Sequence, residues 1–204
     1  IIIPTLNEAS QLRDTLAPLR VLRLRGHEVI VVDGGSSDRT TTIARELADR
    51  VIDGARGRAR QMNAGAAIAS GDVLLFVHAD TRLPEQADTL IANALCNDKI
   101  SWGRFDVRIS GRSFMLPVIA SLMNLRSRLS GIATGDQAMF MTRRAFESVG
   151  GFPDQPLMED IELSRRLLAL SRPVCLTDRV VTSGRRWDAF GVWRKIWLMW
   201  RLSW

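Results

Sequence analysis

Three acidic stations in this chain combine residue types and positions that could do chemistry. Asp33 ends the apolar run Val29-Ile30-Val31-Val32 and is followed by Gly34-Gly35-Ser36-Ser37-Asp38. Asp80 follows a second run, Val73-Leu74-Leu75-Phe76-Val77, across His78 and Ala79. Glu159 and Asp160 come after Met158 at what reads as a helix start, where acids also suit the helix macrodipole. Uninterrupted apolar runs of this length read as strands buried on both faces, as in parallel sheets. Open α/β sheets bind ligands beyond the carboxyl ends of their strands. Asp33 and Asp80 are therefore expected to meet in one cleft, where converging carboxylates suit a divalent cation and a phosphorylated ligand. A fourth station is basic: Arg56, Arg58 and Arg60 crowd a second helix start. Such a cluster is either a solvated face or, with the backbone N–H groups of the helix end, a diphosphate site.

The elements that must position these residues alternate. A first strand at 1–3 ends at Pro4, and a helix capped by Asn7 or Ser10 runs to about residue 25, with Leu12, Leu16, Leu19 and Leu22 on one face. Strand 29–32, helix 38–48, strand 51–52, helix 58–70 and strand 73–77 follow, then a helix with Pro84 at its first position that ends near Cys96. Asp38 is expected to cap rather than to touch a ligand. This βαβα order predicts a mostly parallel, Rossmann-like α/β sheet with right-handed crossovers. Beyond Asn97 the pattern changes to a strand at 100–109, a helix at 114–129, a strand at 138–141, a helix at 157–170, a strand at 174–181 and a last helix at 190–204.

Without a repeat or linker, residues 1–204 read as one domain: a nucleotide half at 1–97 and an acceptor half at 98–204. The net charge of +6 points to an anionic partner. The two cysteines, Cys96 and Cys175, form no metal or redox pattern and suit a reducing, cytoplasmic setting. No stretch is long and apolar enough to span a bilayer.

The segments Pro4-Thr5-Leu6-Asn7-Glu8, Asp33 to Asp38, His78-Ala79-Asp80 and Glu159-Asp160 resemble, in order and spacing, the motifs of glycosyltransferase family two. The resemblance covers essentially the whole chain and implies the GT-A fold and transfer of a sugar from a nucleotide diphosphate, with inversion, to a sugar or lipid-linked hydroxyl. It implies that Asp33 meets the nucleotide base, with Pro4, Thr5 and Glu8 lining the same pocket. Arg58 would contact phosphate or base, with Gln61 and Asn63 as secondary choices from a stretch similar to the family's Gly-Arg-x-x-Gln-x-Asn-x-Gly. Asp80 takes the place of the metal-binding acid in an Asp-x-Asp signature and implies Mn²⁺ or Mg²⁺. His78 departs from that signature at the ribose-contacting position. Asp160 would be the catalytic base, with Glu159 orienting it, because the attacking hydroxyl must lose a proton. Gly135, Asp136 and Gln137 are implied on the acceptor side. Arg186 and Trp187 resemble an Arg-Trp element near the diphosphate of processive relatives, but the leading Gln is missing and polymerising activity is not expected.

Two rival readings come from other classes. A sugar nucleotidyltransferase would want a Gly-rich basic loop after the first strand, which Pro4 to Glu8 is not. A non-catalytic nucleotide-sugar or membrane-surface binding module is favoured by His78 and opposed by Glu159-Asp160. Neither a dinucleotide motif nor a nucleic-acid partner is indicated. At the C-terminus, Trp193, Trp197, Trp200 and Trp204 share a helical face with Phe190, beside Arg194, Lys195 and Arg201. That pattern fits either peripheral contact with the inner face of a membrane or packing onto protein.

Overall fold

A computed structural model describes residues 1–97 and 99–185. Strand β1 (Ile2–Thr5) pairs in parallel with β2 (Ile30–Asp33), and β2 with β3 (Arg50–Asp53). On its other side β1 meets the chain after β4 (Val73–Leu75): Ile2 bridges Phe76 in parallel, and the Val77 N–H donates to the Ile2 carbonyl at 3.0 Å. The second half is mixed. Its strands run in the order β4, β7 (Phe140–Thr142), β6 (Trp102–Ser110), β8 (Val174–Ser183) and β5 (Thr81–Arg82). Of these neighbours only β6 and β8 are parallel; the other pairs are antiparallel.

Helices α1 (Ala9–Leu16), α2 (Arg20–Leu24), α3 (Thr40–Leu47), α4 (Arg58–Ile68), α5 (Ala87–Leu95), α6 (Leu116–Ser130), α7 (Arg143–Ser148) and α8 (Glu159–Leu168) cover the sheet. The single helix expected from residue 10 to 25 is interrupted. Pro18 lacks an N–H, and Ala17–Leu19 tighten into a 3-10 turn between α1 and α2. The leucine stripe survives the break: Leu12, Leu16, Leu19 and Leu22 are all buried, at roughly 1.5–3 kcal/mol per side chain of this size. Helix α5 begins at Ala87 rather than at Pro84, after the short strand β5 uses Thr81 and Arg82.

Helix α4 lies flat on β1 and β2 because of Gly65. A Cβ there would stand 2.5 Å from Ile2 Cγ2 and 3.1 Å from Val32 Cγ2. This close approach aims the N-terminus of α4 across the carboxyl ends of both strands. In the second half, β6 reads as alternating but is buried on both faces over most of its length. Its polar members are absorbed internally. Arg104 is fully buried, paired with Asp106 and donating to Ser127 Oγ at 3.1 Å, while Arg128 reaches Asp106 Oδ2 at 2.7 Å. Asn124 closes the arrangement by bonding both the N–H and the carbonyl of Val107. These bonds lock α6 against β6.

Candidate active site

One cavity of about 610 Å³ opens beyond the carboxyl ends of β1 and β4. Pro4, Leu6 and Glu8 form one wall, Arg56, Gly57 and Arg58 a second, and His78 to Asp80 the floor. Gly135, Asp136, Glu159, Asp160, Met123 and Arg126 face them from the second half of the chain. The sequence thus converges where the α/β topology requires it.

The β1 wall is tied to the loop after β2. Asn7 adopts a left-handed conformation (φ 55°) and its Oδ1 accepts the Ser37 N–H at 2.8 Å, while Ser36 Oγ accepts the Asn7 N–H at 2.8 Å. Asn tolerates that backbone region better than most residues do. Asp38 accepts the N–H groups of Ala9 and Thr40, so it clamps the starts of α1 and α3 as a cap. Glu8 leaves the wall toward Arg185, whose guanidinium lies 3.1 Å from Glu8 Oε2 and 3.0 Å from Ser10 Oγ.

The floor carries the most available carboxylate. Asp80 is only half-buried, and its side chain accepts no hydrogen bond from the described residues; its carbonyl is held by the Ser183 N–H at 3.1 Å. Next to it His78 Nδ1 stands 3.1 Å from Asp136 Oδ1. Gly135 backs the imidazole so closely that a Cβ would fall 2.3 Å from His78 Nε2. Glycine is required there to let the turn pass the ring.

The far wall is built by the turn into α8. Met158 takes a left-handed conformation (φ 64°), a costly choice for a non-glycine residue. That turn places Glu159 and Asp160 as the first two helical residues, facing the cavity. Asp160 Oδ2 accepts the Gly135 N–H at 2.7 Å and Oδ1 accepts the Ile161 N–H at 2.8 Å. Both oxygens keep lone pairs toward the cavity, since an ionised carboxylate has about four acceptor sites. Glu159 is 5% exposed. Burial raises its pKa above the usual carboxylate value, Asp160 adds to the rise, and the charges of Arg58 and His78 oppose it. Ser164 bonds the N–H and carbonyl of Ala133, which ties α8 to the start of the 133–137 turn.

The sequence model described as Glycosyl transferase family 2 matches residues 1–150. The chain belongs to that family. It is 28% identical to a probable glycosyltransferase of Bacillus subtilis, YdaM, over 95% of this chain and 52% of that protein. It is 42% identical to a PGL/p-HBAD biosynthesis glycosyltransferase of Mycobacterium tuberculosis over 44% of this chain and 38% of the relative. The chain thus spans about half or less of the length of these family 2 relatives. Among solved structures, it is similar to a mannosyltransferase from Pyrobaculum calidifontis in complex with GDP-Man and Mn²⁺, with 25% identity and a TM-score of 0.66 over 88% of this chain and 55% of that one. Staphylococcus aureus TarS in complex with UDP-GlcNAc superposes with a TM-score of 0.71 at 19% identity, over 89% and 57% of the two chains. These likenesses establish the GT-A fold expected from the sequence.

Within that fold, three site residues expected from family 2 motifs lie behind the wall rather than on it. Asp33 is 2% exposed, and its carboxylate already accepts the N–H groups of Gly35 and Ser36 and the hydroxyl of Ser36. Thr5 Oγ1 adds a contact at 3.2 Å, so Thr5 and Asp33 together shape the loop. Gln137 is fully buried, bonded to the Thr134 N–H and to Asn124. Gln61 touches the cavity, but its amide is committed to the carbonyls of Thr5 and Val32, both at 2.8 Å. Asn63 is likewise spent on the N–H and carbonyl of Phe152. Short polar side chains next to strand ends serve the loops first. Arg186, Trp187 and the Trp-rich segment lie outside the described residues. Of the three arginines at the start of α4, Arg56 and Arg58 line the cavity while Arg60 pairs with Asp154; the structure also brings in Arg126. Arg126 gave no sequence signal, because α6 reads as an amphipathic apolar helix in which Arg126 and Arg128 look equivalent.

The donor set is compatible with a divalent ion of restricted kind. Among the described residues, no cluster of three or more His, Cys, Asp or Glu side chains is arranged to hold a metal alone. Asp80 offers one unpartnered carboxylate in an open cavity. That suits an ion that completes its shell with phosphate oxygens and water rather than with a protein cage.

Proposed function

We propose that this chain transfers a glycosyl group from a nucleotide diphosphate sugar to a hydroxyl acceptor with inversion. The observation that carries the reading is the pairing of an unpartnered Asp80 on the floor with Asp160 on the opposite wall of one cavity, beside Arg58. Pro4 and Glu8 line the nucleotide pocket, Glu8 through its contact with Arg185, and Arg58 with the N-terminus of α4 faces the phosphates. His78, fixed against Asp136, borders the donor on the same floor. Asp33 and Thr5 shape the nucleotide wall from behind it. Asp80 holds Mn²⁺ or Mg²⁺ through carboxylate oxygen, and such an ion offsets negative charge on a departing diphosphate.

Asp160 is the base. It takes the proton of the acceptor hydroxyl as that oxygen attacks the anomeric carbon from the face opposite the diphosphate. The bond from the anomeric carbon to the diphosphate oxygen breaks, and its electron pair leaves with the diphosphate. The Gly135 N–H keeps Asp160 pointed into the cavity, Gly135 and Asp136 border the acceptor, and Glu159 supports the base from behind.

A thermal-shift panel of UDP-, GDP- and dTDP-sugars with and without Mn²⁺ tests the donor half. Proton NMR of the product's anomeric centre tests inversion. The absence of any nucleotide-dependent shift retires the reading. His78 in place of an acid favours a second reading, a binding module without catalysis, which predicts nucleotide binding with no product.

The C-terminal tryptophans and the exposed side chains of Phe114, Val118, Leu122, Leu125 and Leu129 on or beside α6 support peripheral membrane contact. No helix among the described residues is long and apolar enough to cross a membrane. Co-sedimentation with anionic liposomes, lost on Trp197→Ser with Trp200→Ser, is the expected result. Unchanged sedimentation assigns that stripe to protein packing.

A further inference from the structure

Beside the main cavity lies a second one of about 400 Å³, and the two share part of their lining. Arg126 of α6 lies on both. Its Nε and Nη2 are shielded from solvent, yet neither has a hydrogen-bond partner among the described residues. These two nitrogens give up hydration without a hydrogen bond in return, an unfavourable arrangement for a partly buried charge. The other polar side chains packed on this face of α6 are spoken for: Asn124, Ser127 and Arg128 all bond within the fold. Asp160 is near enough to favour the Arg126 charge but does not bond it. On the far side of the second cavity Arg165 adds another cation, paired with Glu162 at 3.8 Å. Leu157, Met158 and Ile161 form an apolar strip that joins the two cavities.

We propose that Arg126 is the docking point for an oxyanion carried by the acceptor, a phosphate or a carboxylate. The proposal rests on glycosyl transfer at this site and specifies its acceptor class: an anionic hydroxy compound. The anion meets the planar fork of Arg126, the neighbouring hydroxyl reaches Asp160, and the rest of the molecule runs along the apolar strip into the second cavity. A guanidinium suits this role because it binds carboxylate or phosphate through two parallel hydrogen bonds. The donor needs no further cation at that wall, since Arg56 and Arg58 stand on the opposite one.

The test uses the full chain saturated with UDP or GDP and Mn²⁺, whichever nucleotide binds. It is titrated by calorimetry with inorganic phosphate, glycerol 3-phosphate and glycerate, with glycerol as the uncharged control. The anionic probes are expected to bind alongside the nucleotide and glycerol is not. Comparison of glycerol 3-phosphate with glycerate tells phosphate from carboxylate. Arg126→Met should weaken the preferred anion at least tenfold and leave nucleotide affinity within twofold. Arg126→Lys should recover part of the anion binding, which separates the lost charge from a folding defect. Three results overturn the proposal: no anion binding to the wild-type protein up to 50-fold above typical millimolar levels, equal binding by Arg126→Met, or a tenfold loss of nucleotide affinity in that variant. The last would move Arg126 to the donor diphosphate. Failure of glycosyl transfer itself would show separately, as nucleotide and anion binding with no glycosylated product.

Discussion

Replacing Gly135 by Ala places a methyl group 2.3 Å from His78 Nε2 and 2.6 Å from its Cε1. Ordinary non-bonded contacts lie near 3.5 Å, so the ring must retreat by about 1 Å. It is tethered on one side only, by Nδ1 to Asp136 Oδ1 at 3.1 Å, and on the other it faces the open cavity. The ring therefore swings instead of being compressed. The cost is one hydrogen bond of about 0.5–1.5 kcal/mol plus the lower part of the roughly 1–3 kcal/mol range for overpacking. At about 2–4 °C per kcal/mol for a chain of this size, the melting temperature should fall by roughly 3–10 °C. Activity should suffer more, because the ring is displaced into the donor's space and the Gly135 N–H that holds Asp160 moves with the turn. A misplacement of about 1 Å costs on the order of 100-fold in rate. Differential scanning fluorimetry and turnover with the donor found in the panel measure the two effects. The double variant with His78→Ala removes the clash, and its melting temperature should recover toward that of His78→Ala alone. Full turnover in Gly135→Ala, or no recovery in the double variant, would refute the claim that this contact positions the ring.

Asp80→Ala should abolish the Mn²⁺-dependent part of nucleotide binding and leave the melting temperature within about 1 kcal/mol equivalent, since no described residue depends on that carboxylate; nucleotide affinity unaffected by EDTA contradicts it. Asp160→Asn should keep donor binding and lose transfer by about 10²–10⁴-fold, and a fully active variant would move the base elsewhere. Glu159 supplies a pH test. Burial raises its folded pKa above its unfolded value, so ionisation opposes folding, with no penalty below the unfolded pKa and the full penalty above the folded one. Glu159→Gln should therefore melt above the wild type at pH 8, with the gap closing as pH falls below the ordinary Glu value of 4.5. A gap that is constant, or that widens in acid, would show that Glu159 is not held against its charge.

The parallel half of the fold, and several of the residues on its crevice, could be read along the chain. Continuous apolar runs such as 29–32 admit only strands buried on both faces, and the residues that end them must emerge at one sheet edge. Asp80 was legible for this reason; Arg58, Glu159 and Asp160 stood out instead at helix starts, where the family motifs place them. Tertiary structure decided which polar residues near that edge are free. Asp33, Gln61 and Gln137 have the right chemistry, but each side chain is already spent on backbone groups of the neighbouring loops and strands. The break at Pro18 is local, since the ring lacks an N–H. The short strand β5 answers instead to pairing with the distant β8, which periodicity along the chain does not record. The same holds for α6, where Arg126 and Arg128 stand two residues apart in identical composition. Only the packing of α6 on β6 gives Arg128 to Asp106 and leaves Arg126 facing the cavity with no hydrogen-bond partner for Nε and Nη2 among the described residues.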